Sequence, residues 1–172
     1  MIREANVQDA RSISQIKVNG WKTAYKGIVD DEFLNNMSYE ENYEKVYQRL
    51  SDKDSAANVK TYVYEDDDTK EILGFVTFGE VYEKEKDYEY DSELYAIYVK
   101  PEEKGRGIGK ELITFVKRYF KNLGYRNMIL YCLKDNLPSR GFYERMGGVV
   151  SKEKENMIGS QLLKEVGYEY QL

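Results

Sequence analysis

Apolar residues recur along the chain in two periods. Residues 2–5 form a short extended run. Behind Asn6, a residue suited to capping a helix, Val7, Ala10, Ile13 and Ile16 follow at helical spacing until the pattern fades near Gly20. Residues 21–30, rich in Tyr and Gly, predict a loop. Ser38-Tyr39-Glu40-Glu41 has the form of a capping box, and the helix it starts extends to about Leu50. Two alternating runs, 59–65 and 72–82, flank a turn at 66–70 and predict an antiparallel hairpin. Leu94-Tyr95-Ala96-Ile97-Tyr98-Val99 predicts a central strand stopped by Pro101. Ile108, Leu112, Val116, Phe120 and Leu123 mark one face of a helix that Gly124 ends. Residues 126–133 predict a further strand. Asn136 caps a helix with Pro138 in its first turn and Gly147-Gly148 at its end, and residues 149–155 and 162–170 predict two closing strands. The order implies one mixed α/β (α+β) domain over residues 1–172, with antiparallel hairpins flanking a single strand–helix–strand crossover.

Charge and composition narrow the function classes. With 26 Lys+Arg against 31 Asp+Glu, the formal charge of −5 argues against nonspecific nucleic-acid binding and against a basic helix lying on a membrane. No apolar run approaches the roughly 18 residues of a membrane span. The start, Met1-Ile2-Arg3-Glu4, lacks the features of a signal peptide, so a cytoplasmic location is expected. One cysteine, Cys132, leaves no intrachain disulfide and no cysteine zinc site, and it reads as a small hydrophobe in an apolar strand. The sequence has no His, the commonest general base and metal ligand, so no metal is expected and acid–base work falls to Glu, Asp, Tyr or Lys. The acidity is concentrated in residues 80–93, with seven acids and two lysines, whereas residues 100–126 hold eight Lys/Arg and three Glu. The 17 tyrosines suit packing in strands, with one or two available to supply a phenol for chemistry.

Lys104-Gly105-Arg106-Gly107-Ile108-Gly109-Lys110 lies between a predicted strand and a predicted helix. Glycines there allow positive φ and close approach to a ligand, and free N–H groups at a helix N-terminus attract phosphate. A Walker loop would need Gly at 104 and Ser or Thr at 111, and a dinucleotide loop would need Gly at 110; Lys104, Glu111 and Lys110 stand there instead. A tight packing turn and a phosphate cradle both suit the glycines; the basic flank favours the cradle.

One strand later comes Asn136-Leu137-Pro138-Ser139-Arg140-Gly141-Phe142-Tyr143-Glu144-Arg145-Met146-Gly147-Gly148. The two motifs, in this order and spacing, resemble the GNAT superfamily of acyl-CoA-dependent N-acetyltransferases. The family's (Arg/Gln)-x-x-Gly-x-(Gly/Ala) corresponds to Lys104, Gly107 and Gly109, with Lys104 in place of the usual Arg or Gln. Its Asn-x-x-(Ala/Ser)-x-x-x-Tyr corresponds to Asn136, Ser139 and Tyr143. Glu93 to Pro101 resembles the family's central strand, and Trp21-Lys22-Thr23-Ala24-Tyr25-Lys26-Gly27 the segment after the first helix in many bacterial members.

The resemblance implies a mostly antiparallel, twisted sheet of about seven strands, splayed between strands 4 and 5 and flanked by about four helices. It implies acetyl-CoA as acyl donor, with pyrophosphate on the amides of Lys104, Gly105, Arg106, Gly107, Ile108, Gly109 and Lys110. Pantetheine would run along Ile97, Tyr98 and Val99, with Asn136 and Ser139 beside it; Asn136 also reads as a plain helix cap. The implied reaction is acetyl transfer to a primary amine by direct attack on the thioester; if the acidic run 80–93 borders the acceptor entrance, its potential favours a cationic small molecule such as a polyamine.

A lysine-like amine has a pKa of about 10.4, so at pH 7 the neutral nucleophile is disfavoured by about 4.6 kcal/mol. A carboxylate can relieve this, directly or through one water. Glu93, where many relatives carry Glu, is the candidate base, with Asp91 or water as alternatives; Tyr143 is the candidate acid for the leaving thiolate. Trp21 and Tyr25 either wall the acceptor pocket or pack the core. A non-catalytic acyl-CoA-binding module and an unrelated nucleotide-phosphate domain are the competing readings. C-terminal edge strands leave a homodimer open.

Overall fold

The computed structural model describes residues 1–52, 59–81 and 89–172. The end of the hairpin strand predicted to reach Tyr82, and the middle of the acidic run, fall outside the described residues. Seven strands form one sheet in the order β1-β2-β3-β4-β5-β7-β6. They are β1 (Ile2–Glu4), β2 (Val59–Glu65), β3 (Ile72–Glu80), β4 (Ser92–Val99), β5 (Asn127–Leu133), β6 (Val149–Ile158) and β7 (Gln161–Gln171). Every pairing is antiparallel except β4 with β5. The helices are α1 (Ala10–Ala24), α2 (Asp31–Asn35), α3 (Tyr39–Ser51), α4 (Ile108–Asn122) and α5 (Leu137–Arg145).

The splay between strands 4 and 5 is present and has a local cause. β4 and β5 pair only at Ser92↔Met128 and Glu93↔Ile129. Immediately beyond, Leu94 pairs with Phe78 and Ala96 with Thr77, so Tyr95 is the extra residue of a bulge against β3. A bulge bends its strand and increases the local twist. From Leu94 onward the β4 edge facing β5 is therefore open. β3 is buried along eight of its nine residues, because helices cover both of its faces. On one side Ile108, Leu112, Val116 and Phe120 of α4 pack on Leu73, Val76, Phe78 and Leu94. On the other, Ala10, Ile13 and Ile16 of α1 meet Val63, Ile72 and Phe75, with Val46 of α3 beside them.

The helix inventory corrects the sequence reading in two places. Five helices stand where about four were expected, the addition being the short α2 capped by the Asp30 side chain on Glu32 N. The predicted break near Gly20 is absent, and α1 continues to Ala24. A Cβ at Gly20 would lie 2.8 Å from Cδ1 of Tyr98, so this glycine serves close packing of helix on strand, not termination. At the other end, Asn6 accepts from Gln8 N at 2.9 Å while Asp9 accepts from Asn6 N at 2.8 Å. Arg3 holds Asp9 at 2.8 and 2.9 Å and Glu65 at 2.7 Å, tying β1 to the start of the helix and to β2.

Candidate active site

The crossover from β4 to α4 is built by residues close in sequence. A 3-10 turn, Pro101–Glu103, follows β4, and Gly105 and Gly107 then take φ of +84° and +88°, a left-handed conformation that disfavours a side chain. No atom lies within 4 Å of where their Cβ atoms would be, so these glycines answer a backbone requirement and leave open space. The α4 ladder begins with Glu111 N on Gly107 O; the amides of Ile108, Gly109 and Lys110 precede it and project from the helix mouth. Gly109 has a second reason to lack a side chain: its Cβ would meet Phe142 Cζ at 3.3 Å, where α4 and α5 touch. The Arg106 guanidinium turns back to Glu103.

That helix mouth opens into a cavity of about 500 Å³ running along the free edge of β4. Its walls are β4 from Leu94 to Val99, the 103–110 turn apart from Arg106, Leu130 to Cys132 of β5, and α5. A volume in this range suits a cofactor-sized ligand. Ile97, Tyr98, Val99, Lys104, Gly105, Gly107, Ile108, Gly109, Lys110, Asn136, Ser139, Tyr143 and Tyr25 all line it; Arg106, Trp21 and Glu93 do not. Lys104, Lys110 and Arg145 bring cationic charge to the wall, an arrangement that suits an anionic ligand over the α4 amides.

α5 is held firmly over this slot. Asn136 is buried, and its Oδ1 accepts from Ser139 N at 3.3 Å, so the side chain caps the helix. Arg140 donates to Tyr168 Oη at 2.9 Å and to Lys134 O at 3.1 Å, and Tyr168 donates to Glu144 at 2.9 Å. Tyr170 donates to Tyr143 O at 3.0 Å. The Tyr143 ring lies between Phe142 and Tyr168, with centroids 5.4 and 5.8 Å away. Burial pushes its phenol well above the ordinary tyrosine value, with Cys132 and Tyr98 nearby adding to the shift. It is thus a neutral O–H donor at any working pH. Burial also raises the Cys132 thiol, to about 12, which keeps it protonated and unreactive.

Across the slot, on the α1 side, stands Tyr98. Trp21 Nε1 donates to its hydroxyl at 2.7 Å. Tyr25 stands edge-on to Trp21 at 4.7 Å, beside the same phenol. Trp21 therefore backs the cavity wall rather than forming it. The two acidic candidates sit at the closed end of the split. Glu93 occupies the last paired position of β4 with β5. Leu94 points into the α4 core, so Glu93 lies on the opposite, α1 face. Asp91 is engaged by Arg126 through two side-chain bonds of 3.0 Å and one to its main-chain N of 2.9 Å, and those bonds hold its pKa below the ordinary range. Gly20, Ala24, Phe142 and Met146 also line the slot. The first two share a small-residue i, i+4 spacing on α1 that the sequence displays.

A family model, the acetyltransferase (GNAT) family, matches residues 24–148. The chain belongs to the GNAT family. It is accordingly an acetyl-CoA-dependent N-acetyltransferase. An uncharacterised N-acetyltransferase of Bacillus subtilis, YuaI, is 29% identical over 166 residues, covering 96% of this chain and 90% of that one. The spermidine N(1)-acetyltransferase of Thermoplasma acidophilum is 25% identical over 169 residues, 98% of this chain and 97% of that one. Among solved structures, the PaiA N-acetyltransferase of Thermoplasma acidophilum in complex with coenzyme A has the same fold. Its TM-score is 0.73 at 24% identity, with 96% of each chain covered. Among the described residues, no helix is long and apolar enough to cross a membrane, and no group of three or more acidic or cysteine side chains is placed to hold a metal.

Proposed function

We propose that this GNAT acetyltransferase acts as one domain over residues 1–172 and acetylates a primary amine, with polyamines the acceptor class to test first. The observation that carries the reading is the cavity: the free α4 amides open directly onto the unpaired β4 edge, with Tyr143 facing the slot. The donor set suits coenzyme A. Amides at a helix mouth with Lys104 and Lys110 suit a diphosphate, and the open main-chain edge at 97–99 suits the amides of a pantetheine arm. Arg106 and Ser139 flank this path, and Asn136 keeps α5 capped beside it. Bound there, acetyl-CoA supplies an activated acyl carbon.

The chain's own groups divide the proton work. The amine arrives as an ammonium and must lose a proton before it can attack. Glu93 takes it, directly or through one water. The new N–C bond forms as the C–S bond breaks. Main-chain N–H groups on the open β4 edge donate to the acyl oxygen, and the Tyr143 phenol donates to the departing sulfur. Of the amine's two surplus protons, one reaches the departing thiolate through the Tyr143 hydroxyl, which ends protonated, and the other leaves from Glu93 to water, so the products are an amide, free thiol and one released proton. The relation to a spermidine acetyltransferase supports polyamines.

Purified protein, acetyl-CoA and a panel of polyamines, amino acids, aminoglycosides and peptide N-termini test this by thiol release. Turnover with a primary amine is expected. Saturable coenzyme A binding with no thiol release across the panel would instead identify a binding module. Calorimetric binding of ATP as tight as that of coenzyme A would refute the use of the β4 edge.

A further inference from the structure

The hydrogen bond between Trp21 and Tyr98 leaves the proton of the Tyr98 phenol unused. An indole N–H can only donate, so Tyr98 Oη must accept from Trp21. That bond uses the indole proton and leaves the Tyr98 O–H itself free to donate, with Tyr25 standing edge-on to Trp21 beside it. The Tyr98 and Tyr25 rings both line the cavity, so that O–H has the slot to point into. The Tyr98 ring is clamped in place: Phe75 stacks on it at 5.5 Å, and the bare Cα of Gly20 lets α1 close against it. It stands on the α1 side of the split, while Tyr143 comes from α5.

This O–H has one useful target. Bonding it to the acceptor amine would occupy the lone pair needed for attack. The group that gains negative charge, and so strengthens a hydrogen bond as reaction proceeds, is the acyl oxygen. We propose that Tyr98 is a catalytic hydrogen-bond donor to the acyl oxygen, with Trp21 as the positioning residue that orients it. The inference rests on the acetyl-transfer reading of the cavity given above.

The test compares Tyr98→Phe, Trp21→Phe and the double variant in the full chain. Thiol release gives kcat and the KM for acetyl-CoA, and calorimetry gives the Kd for coenzyme A. Tyr98→Phe keeps the ring on Phe75 and should lower kcat about 10²-fold, the loss typical of one such donor, with coenzyme A Kd changed less than about threefold. Trp21→Phe should lower kcat about tenfold, and the double variant should be no slower than Tyr98→Phe, since the two act as a unit. Trp21 is the one tryptophan in the sequence, so its emission should also shift in Tyr98→Phe, reporting the lost bond without reference to activity. An unchanged kcat in Tyr98→Phe, a loss confined to KM or Kd, or single effects that multiply in the double variant would each overturn the assignment. If Tyr98→Phe does not fold, Trp21→Phe decides: wild-type kcat overturns it. Wild-type protein that releases no thiol with any acceptor refutes the acetyl-transfer reading itself, whereas active wild type with equally active Tyr98→Phe refutes the relay alone.

Discussion

Replacing Tyr143 by Phe removes one oxygen from the slot and leaves the ring contacts to Phe142 and Tyr168 in place. Among the described residues, nothing accepts a hydrogen bond from this hydroxyl, so the melting temperature should stay within about 2 °C. The effect belongs to the reaction. A hydrogen bond to a group becoming charged contributes about 1.5–3 kcal/mol, which is roughly tenfold to 150-fold in kcat. Because burial raises the phenol far above its ordinary value, the donor does not ionise within the assay range. The pH profile of kcat/KM should therefore rise as the acceptor amine deprotonates, with no alkaline fall traceable to Tyr143. Thiol release with a colorimetric disulfide reagent is the assay. The protein adds little background, since Cys132 is its one cysteine and burial keeps it a thiol. Turnover within twofold of wild type would remove Tyr143 from the mechanism. A raised KM for acetyl-CoA at constant kcat would make it a binding group.

Two further changes probe the cradle and the scaffold. Gly107→Ala places a side chain at φ +88°, a strain of about 1–2 kcal/mol with no steric clash to add to it. Coenzyme A affinity by calorimetry should fall, and binding at full strength would refute the cradle. Arg3→Met strips the partner from the buried Asp9 and should cost about 3 kcal/mol at pH 7 in urea denaturation. Burial alone would raise Asp9, but the bonds from Arg3 and the Asn6 amide outweigh it and hold its folded pKa below the unfolded one. The stabilisation is thus complete above the unfolded value of about 3.9 and is lost as pH falls through the folded one. The gap between wild type and variant should shrink in that acid window, and a gap independent of pH would refute the assignment.

What the sequence disclosed was local. The 104–110 turn and the Asn136 cap are legible because every atom that defines them lies within about ten residues, and φ > 0 glycines and helix starts have short-range signatures. The strands were legible for the same reason, through their alternation and their turns. Gly20 misled because helix propensity argues for an end there, while the need for a bare Cα is set by Tyr98, far along the chain. α2 was missed since five residues carry too little periodicity to register.

The amino-acid order alone marked the strands, four of the five helices, the glycine turn at the mouth of α4 and the tyrosine on the helix beyond it. Only the folded chain decided which side chains share the slot. The bond from Trp21 to Tyr98 spans 77 positions and that from Arg140 to Tyr168 spans 28. Glu93 stands at the fork of β4 and β5, off the cavity wall, because pairing register and a bulge at Tyr95 put it there. Register is a cooperative property of the whole sheet. A shift of one residue turns every side chain to the other face, and no window of neighbouring residues records which register is adopted.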